Sequence, residues 1–95
     1  MSTYVFAYRI QEGDSGSPDA MAKWMAWFEE LGAAVVDAGN PVFARSTLGN
    51  CGTGSALGGY SIITADDLEA AVTLAKGCPA LAVGGGVEVG ELGEM

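Results

Sequence analysis

The chain has 95 residues, with 12 acidic against 4 basic side chains, no histidine and two cysteines, for a formal net charge of −8. Four scattered cations (Arg9, Lys23, Arg45 and Lys76) cannot build the continuous basic face that neutralises phosphates, so neither a nucleic-acid partner nor a polybasic membrane contact is expected. Cys51 and Cys78 follow no metal-ligand spacing and are too few for a disulfide framework, so no metal is expected and both thiols are read as reduced.

Thr3 to Ile10 (TYVFAYRI) is β-branched and aromatic and too short to favour a helix, so it is predicted as a strand. Alternation places Tyr4, Phe6, Tyr8 and Ile10 on one face and Val5, Ala7 and Arg9 on the other. Both faces are largely apolar, as suits a central strand covered on both sides. Gln11 to Ser17 reads as loop from its Gly, Ser and Asp content. Ser17 then supplies an N-cap, Pro18 the first helical position and Asp19 a negative charge in the first turn of a helix that Gly32 stops. Its apolar stripe is predicted as Met21, Trp24, Met25, Phe28 and Leu31. Trp27 falls off that stripe and is assigned to a rim or an interface.

Ala34 to Ala38 reads as a short strand, Gly39-Asn40-Pro41 as a turn, and Pro41 to Ser46 as a strand partnering it. Leu48 to Gly58, rich in glycine and poor in anchors, is predicted as a long loop. Gly59 to Thr64 (GYSIIT) is a strand by residue type. Thr64 is expected to cap the second helix, with Asp66 and Asp67 in its first turn, Lys76 in its last, and Gly77 and Pro79 ending it. Leu68, Ala71, Val72 and Ala75 form its predicted buried stripe. Gly84-Gly85-Gly86 is a turn into a last strand, Val87 to Leu92, with acids at Glu88, Glu91 and Glu94.

Strand, helix, strand pair, strand, helix, strand is the order of a ferredoxin-like α+β protomer: two split βαβ halves, with both helices on one face of an antiparallel sheet. The chain makes a single domain, residues 1–95, and a body of this size buries only about 60–65% of its unfolded surface. Yet 49% of its residues are apolar and only 17% are charged. A second copy is the simplest cover for that surplus, so the chain is expected to form a homodimer by face-to-face packing of two sheets. Tyr4, Phe6, Tyr8 and Tyr60 are the large residues available to meet the partner. The acidity keeps such an apolar domain in solution. The opening MSTYVFAYRIQEGD lacks a basic stretch ahead of a long apolar one, and no apolar run approaches the roughly 20 residues of a membrane helix. No signal peptide and no membrane partner are expected, and the location read from these features is cytoplasmic.

The strand TYVFAYRI, the helix WMAWFEELGAAVVDAG, the segment GGYSII with its acid-led helix and Cys-Pro stop, and the closing VEVGEL together resemble the YCII-related (DGPF-type) domain over nearly the whole chain. The resemblance implies a dimeric α+β barrel of ferredoxin-like protomers with a cleft near the dimer interface. Some relatives are linked to transcription-related contexts. A few carry a His–Asp pair associated with small-molecule dehalogenation or lactone chemistry. That pair cannot exist here, because the chain has no histidine. The Asp-Gly-Pro-Phe motif is also missing, with STLGNCGTGSAL standing ahead of GGYSII, and Gly90-Glu91 stands where Arg-Pro often follows the terminal Glu-Val.

Without histidine, acid–base chemistry would fall to a carboxylate. Asp37 and Glu88 are the acids singled out inside predicted strands. Glu88 is either desolvated, with a raised pKa, or turned to solvent or paired with Arg9 or Arg45. Cys51, in GNCGTGS, has no histidine or following helix to lower its pKa, and reads as an unreactive loop thiol. Cys78, at a helix C-terminus, reads as structural. The same glycine-rich segment lacks the lysine and following helix of a phosphate loop, and the dinucleotide fingerprint fails on its context, so no cofactor is expected. Tyr8, Arg9, Arg45 and Tyr60 are the best candidates for a ligand pocket, with the arginines suited to a carboxylate. Two functions remain open at this level. One is a dimeric domain that binds a small organic molecule; the other is a cofactor-independent enzyme acting on a small aromatic or acidic substrate.

Overall fold

The computed structural model describes residues 1–11 and 18–93. The Ser17 cap, residues 12–17 of the loop assigned from Gln11 to Ser17, and Glu94 lie outside the described residues, whereas Gln11 continues the first strand. Four strands and two main helices follow in the order β1 (Ser2–Gln11), α1 (Pro18–Leu31), β2 (Val35–Asp37), β3 (Ser55–Ala65), α2 (Leu68–Ala75) and β4 (Gly86–Glu91). Short 3-10 turns at Gly32–Ala34 and Pro79–Val83 follow the two helices. The sheet runs β2-β3-β1-β4 and every neighbouring pair is antiparallel. This is the ferredoxin-like α+β arrangement, with the two long strands β1 and β3 at its centre.

Tyr4, Phe6 and Tyr8 are buried and share one core with Ile63 of β3, Trp27 and Leu31 of α1, and Ala71 and Ala75 of α2. Both helices therefore lie on the face that carries the aromatic residues of β1. This corrects the expectation that Tyr4, Phe6 and Tyr8 meet a partner sheet. The physical reason is volume: the helices leave a deep layer to fill, and the three rings fill it, whereas Val5 and Ala7 are too small. Tyr60 does stand on the other face, since it pairs with Ala7.

Helix α1 is also rotated relative to the predicted stripe. Trp27 is buried and its indole Nε1 donates to the Leu74 carbonyl of α2 at 3.3 Å, while Met21 and Met25 are exposed. A flat indole that can stack on Phe6 and reach a backbone acceptor displaces two flexible thioethers from the contact. In α2 the buried positions are Ala71 and Ala75, with Leu68 and Val72 exposed. Its N-cap is Asp67, whose carboxylate accepts from the Ala70 N–H at 2.8 Å. Thr64, expected to cap, instead lies inside β3 and donates its hydroxyl to the Ser2 carbonyl. Direct continuation of β3 to Ala65 delays the helix by one turn.

The predicted strand from Pro41 to Ser46 is not formed. Only a single bridge joins Pro41 to Gly59, followed by Val42 N–H donating to the Gly58 carbonyl at 3.0 Å. Pro41 has no N–H with which to extend a ladder. Instead, β3 begins at Ser55, inside the segment expected to be loop, and pairs with β1 as far as Gln11. A register shift after Tyr8 leaves Gly58 as the extra residue of a β-bulge, because Tyr8 faces Gly59 and Arg9 faces Leu57.

Candidate functional site

The bulge lies beside an apolar cleft. Its volume is about 660 Å³, and its walls come from β1 (Tyr8), α1 (Met21, Trp24 and Phe28), the Gly39-Asn40-Pro41 turn and the Gly58-Gly59 end of β3. The aromatic wall is built by mutual contact. Tyr8 meets Trp24 edge-on, with centroids 4.6 Å apart and planes at 74°, and Trp24 leans on Phe28 at 6.0 Å. Such edge-to-face pairs hold their rings in fixed orientations. Here they support a concave surface rather than a filled core, because α1 presents its exposed Met21 where a packing residue was expected.

Two glycines make the opposite wall. Gly39 has φ 76°, and a Cβ there would overlap the Tyr60 carbonyl oxygen. A Cβ on Gly59 would press on the Asn40 carbonyl oxygen at 3.0 Å. The turn can therefore approach β3 closely only because both positions lack side chains. The Asp37 carboxylate fastens the turn by accepting from the Gly39 N–H at 2.8 Å, and Asn40 Nδ2 donates to the Tyr60 hydroxyl at 3.3 Å.

At the floor, two hydrogen bonds run in series. The Tyr8 hydroxyl donates to Ser61 Oγ at 2.8 Å, and Ser61 Oγ donates to the Ala38 carbonyl at 2.7 Å. Ser61 is the fully buried polar residue of the core, and this relay satisfies it. Burial pushes the Tyr8 phenol well above its ordinary pKa of 10.0, a shift that the Ser61 bond only partly opposes. Tyr8 is thus held neutral.

A second hollow of about 450 Å³ adjoins the first and shares Ile10, Ala20, Trp24, Pro41 and Gly58 with it. Arg9 and Arg45 both line it. Each guanidinium also ties down the irregular segment that precedes β3. Arg9 donates to Ser55 Oγ and the Ser55 carbonyl and, at 3.4 Å, to the Cys51 carbonyl. Arg45 donates to the Leu57 and Val42 carbonyls, both at 2.8 Å.

The residues singled out from the sequence thus fall in three places. Tyr8 lines the apolar cleft from the helix side, Tyr60 borders it although its strand position faces the open side of the sheet, and Arg9 and Arg45 line the adjoining hollow. Asp37 is exposed next to the cleft-lining Ala38 and braces the turn. Glu88 is exposed on β4 opposite Ala7, on the sheet face away from the cleft. The sequence reading missed Asn40, Pro41, Gly58 and Gly59, and preferred the core to a ligand cleft for Trp24 and Phe28. The signal for the first four was present in two short turn-and-glycine clusters either side of a long loop, but only their pairing in space joins them.

Among the described residues no group of three or more His, Cys, Asp or Glu side chains could hold a metal ion, and no helix is long and apolar enough to cross a membrane. No curated protein matches the chain. The model of one family, the YCII-related domain, matches residues 1–95, the full length of the sequence. With the ferredoxin-like fold beside that match, the chain belongs to the YCII-related domain family.

Proposed function

We propose that this chain is a small-molecule binding domain whose apolar cleft takes a largely apolar organic molecule, and that it works as a homodimer. The observation that carries the first part is the cleft itself: about 660 Å³, walled by Tyr8, Trp24 and Phe28, and shaped by two glycines that admit the opposite wall. Ligand sites commonly fall in the range of roughly 300–1,000 Å³, with mostly apolar linings and a few placed polar groups. No described residue of this lining is a carboxylate or an amine. Catalysis by a cofactor-independent enzyme would need a group that exchanges protons near neutrality. Burial moves Tyr8 away from that range, which supports binding over catalysis. Titration with 2-methylnaphthalene, followed by calorimetry and by the Trp24 indole resonance, tests the reading. Saturable binding that Trp24→Ala weakens at least tenfold is expected; no heat and no shift up to the solubility limit would sink it.

The homodimer rests on the open sheet face. Val5, Ala7, Tyr60 and Ile62 are cross-strand neighbours there, with Arg9 and Glu88 of opposite charge on the same face. A twofold axis through such a patch sets each apolar group against its like and can set Arg9 of one copy toward Glu88 of the other.

A further inference from the structure

We infer that the cleft selects ligands bearing a hydrogen-bond donor, a neutral hydroxyl or N–H on an aromatic frame, over acceptor-only or anionic ligands of the same shape. The inference rests on the proposal that the cleft binds a small molecule, and it follows from the direction of the floor relay. The Ala38 carbonyl can only accept, so the one hydrogen of Ser61 Oγ is committed to it at 2.7 Å. The 2.8 Å bond between Tyr8 and Ser61 must then be donated by the phenol. Both residues at the ends of the relay, Tyr8 and Ala38, line the cleft. Their oxygens keep lone pairs and offer no hydrogen.

Two backbone donors of the adjoining wall are also engaged. The Gly39 N–H is engaged by Asp37 and the Tyr60 N–H by the Asn40 carbonyl. Pro41 carries no N–H at all. A ligand carbonyl, ether or carboxylate placed against the Tyr8 and Ala38 oxygens meets acceptors, whereas a hydroxyl or N–H meets partners. A carboxylate is opposed further by the net charge of −8. Leaving an acceptor pair face to face in an apolar site forfeits a hydrogen bond and the solvation of both oxygens.

Calorimetric titration of the full chain with 2-naphthol, 2-methoxynaphthalene and 2-naphthoate at neutral pH decides the matter. The expected order is 2-naphthol first, with Kd lower than that of 2-methoxynaphthalene by about fivefold or more, the value of one net hydrogen bond, and 2-naphthoate weakest. Tyr8→Phe should reduce the naphthol-to-methoxynaphthalene ratio toward one. Ser61→Ala, which frees the phenol hydrogen to turn toward a ligand, should also shrink the ratio. Equal or tighter binding of 2-methoxynaphthalene to the unmodified chain overturns donor selection while leaving the cleft as a binding site. A naphthol preference that survives both substitutions overturns the relay as its source. Failure of all three compounds to bind overturns the cleft reading and this inference with it.

Discussion

Phe6 and Trp27 lie nearly face to face, with ring centroids 6.1 Å apart and planes only 16° from parallel. The pair joins the central strand β1 to α1, and the same indole donates to the Leu74 carbonyl of α2. One side chain thus holds a strand and both helices in register. Trp27→Phe should remove that hydrogen bond and leave a partly filled cavity, at a combined cost of about 2 kcal/mol. In a domain of this size the midpoint of thermal unfolding should fall by roughly 8–16 °C. Trp24→Phe, at a half-buried position, should lower it by less than half as much. Equal losses in the two variants, read by circular dichroism, would show that Trp27 is not the tie.

The capping assignment has its own check. Asp67→Ala removes the acceptor of the Ala70 N–H and should cost about 1 kcal/mol, measured by urea unfolding. A Thr64→Val change keeps the β-branched shape that suits β3 and removes only a 3.2 Å bond to Ser2. It should cost less than the Asp67 change. The reverse ranking would restore Thr64 as the cap.

The two misplacements, of the β1 face and of α1 rotation, share a cause. Strand β1 alternates between two faces that are both apolar, so periodicity reports a central strand without saying which face the helices cover. Helix α1 carries Met21, Trp24, Met25, Trp27, Phe28 and Leu31, an apolar arc wide enough to allow two rotations. The choice between them lies in the contact of Trp27 with Phe6 and Leu74, a tertiary fact outside any one segment. Fold class survives, and so does the order of the elements once the Pro41–Ser46 strand is removed, because strand composition and glycine stops act locally. The cleft was half visible. Tyr8 and Tyr60 are pocket candidates from the sequence, but the glycines that make the opposite wall acquire meaning only when residues 39–41 are seen against β3.

Stability should fall on the alkaline side. Burial raises the Tyr8 phenol from 10.0 and the Cys78 thiol from 9.0. Both groups therefore hold their protons more tightly folded than unfolded. Above the unfolded values the unfolded state binds fewer protons, and the slope of unfolding free energy against pH is negative. The contribution is fully present below pH 9 or so and is lost as pH climbs through the folded values. Urea midpoints should drop between about pH 8 and about pH 11, and Cys78→Ala with Tyr8→Phe should flatten that drop. A thiol reagent provides a parallel reading: exposed Cys51 should react at once and buried Cys78 only on unfolding. Two equally fast thiols, or a rising midpoint, would contradict the burial.

The last test separates the two faces of the sheet. Phe6 has no solvent exposure within a single chain, whereas Ile62 is half-buried on the open face beside Val5. Phe6→Asp places an unpaired charge in the protomer core at a cost of several kcal/mol, comparable to the roughly 5–15 kcal/mol that holds a small domain together. It should yield unfolded or insoluble protein. Ile62→Asp puts its charge where only a partner copy would desolvate it. The far-ultraviolet spectrum should then be unchanged, while light scattering at micromolar concentration reports a monomer in place of a dimer. An Ile62→Asp protein with the dimer's mass would remove the open face as the interface. A monomeric parent chain would remove the homodimer itself. A soluble, folded Phe6→Asp protein would mean that the aromatic face of β1 is not the core, and that the helices cover the side of Val5 and Ala7 after all.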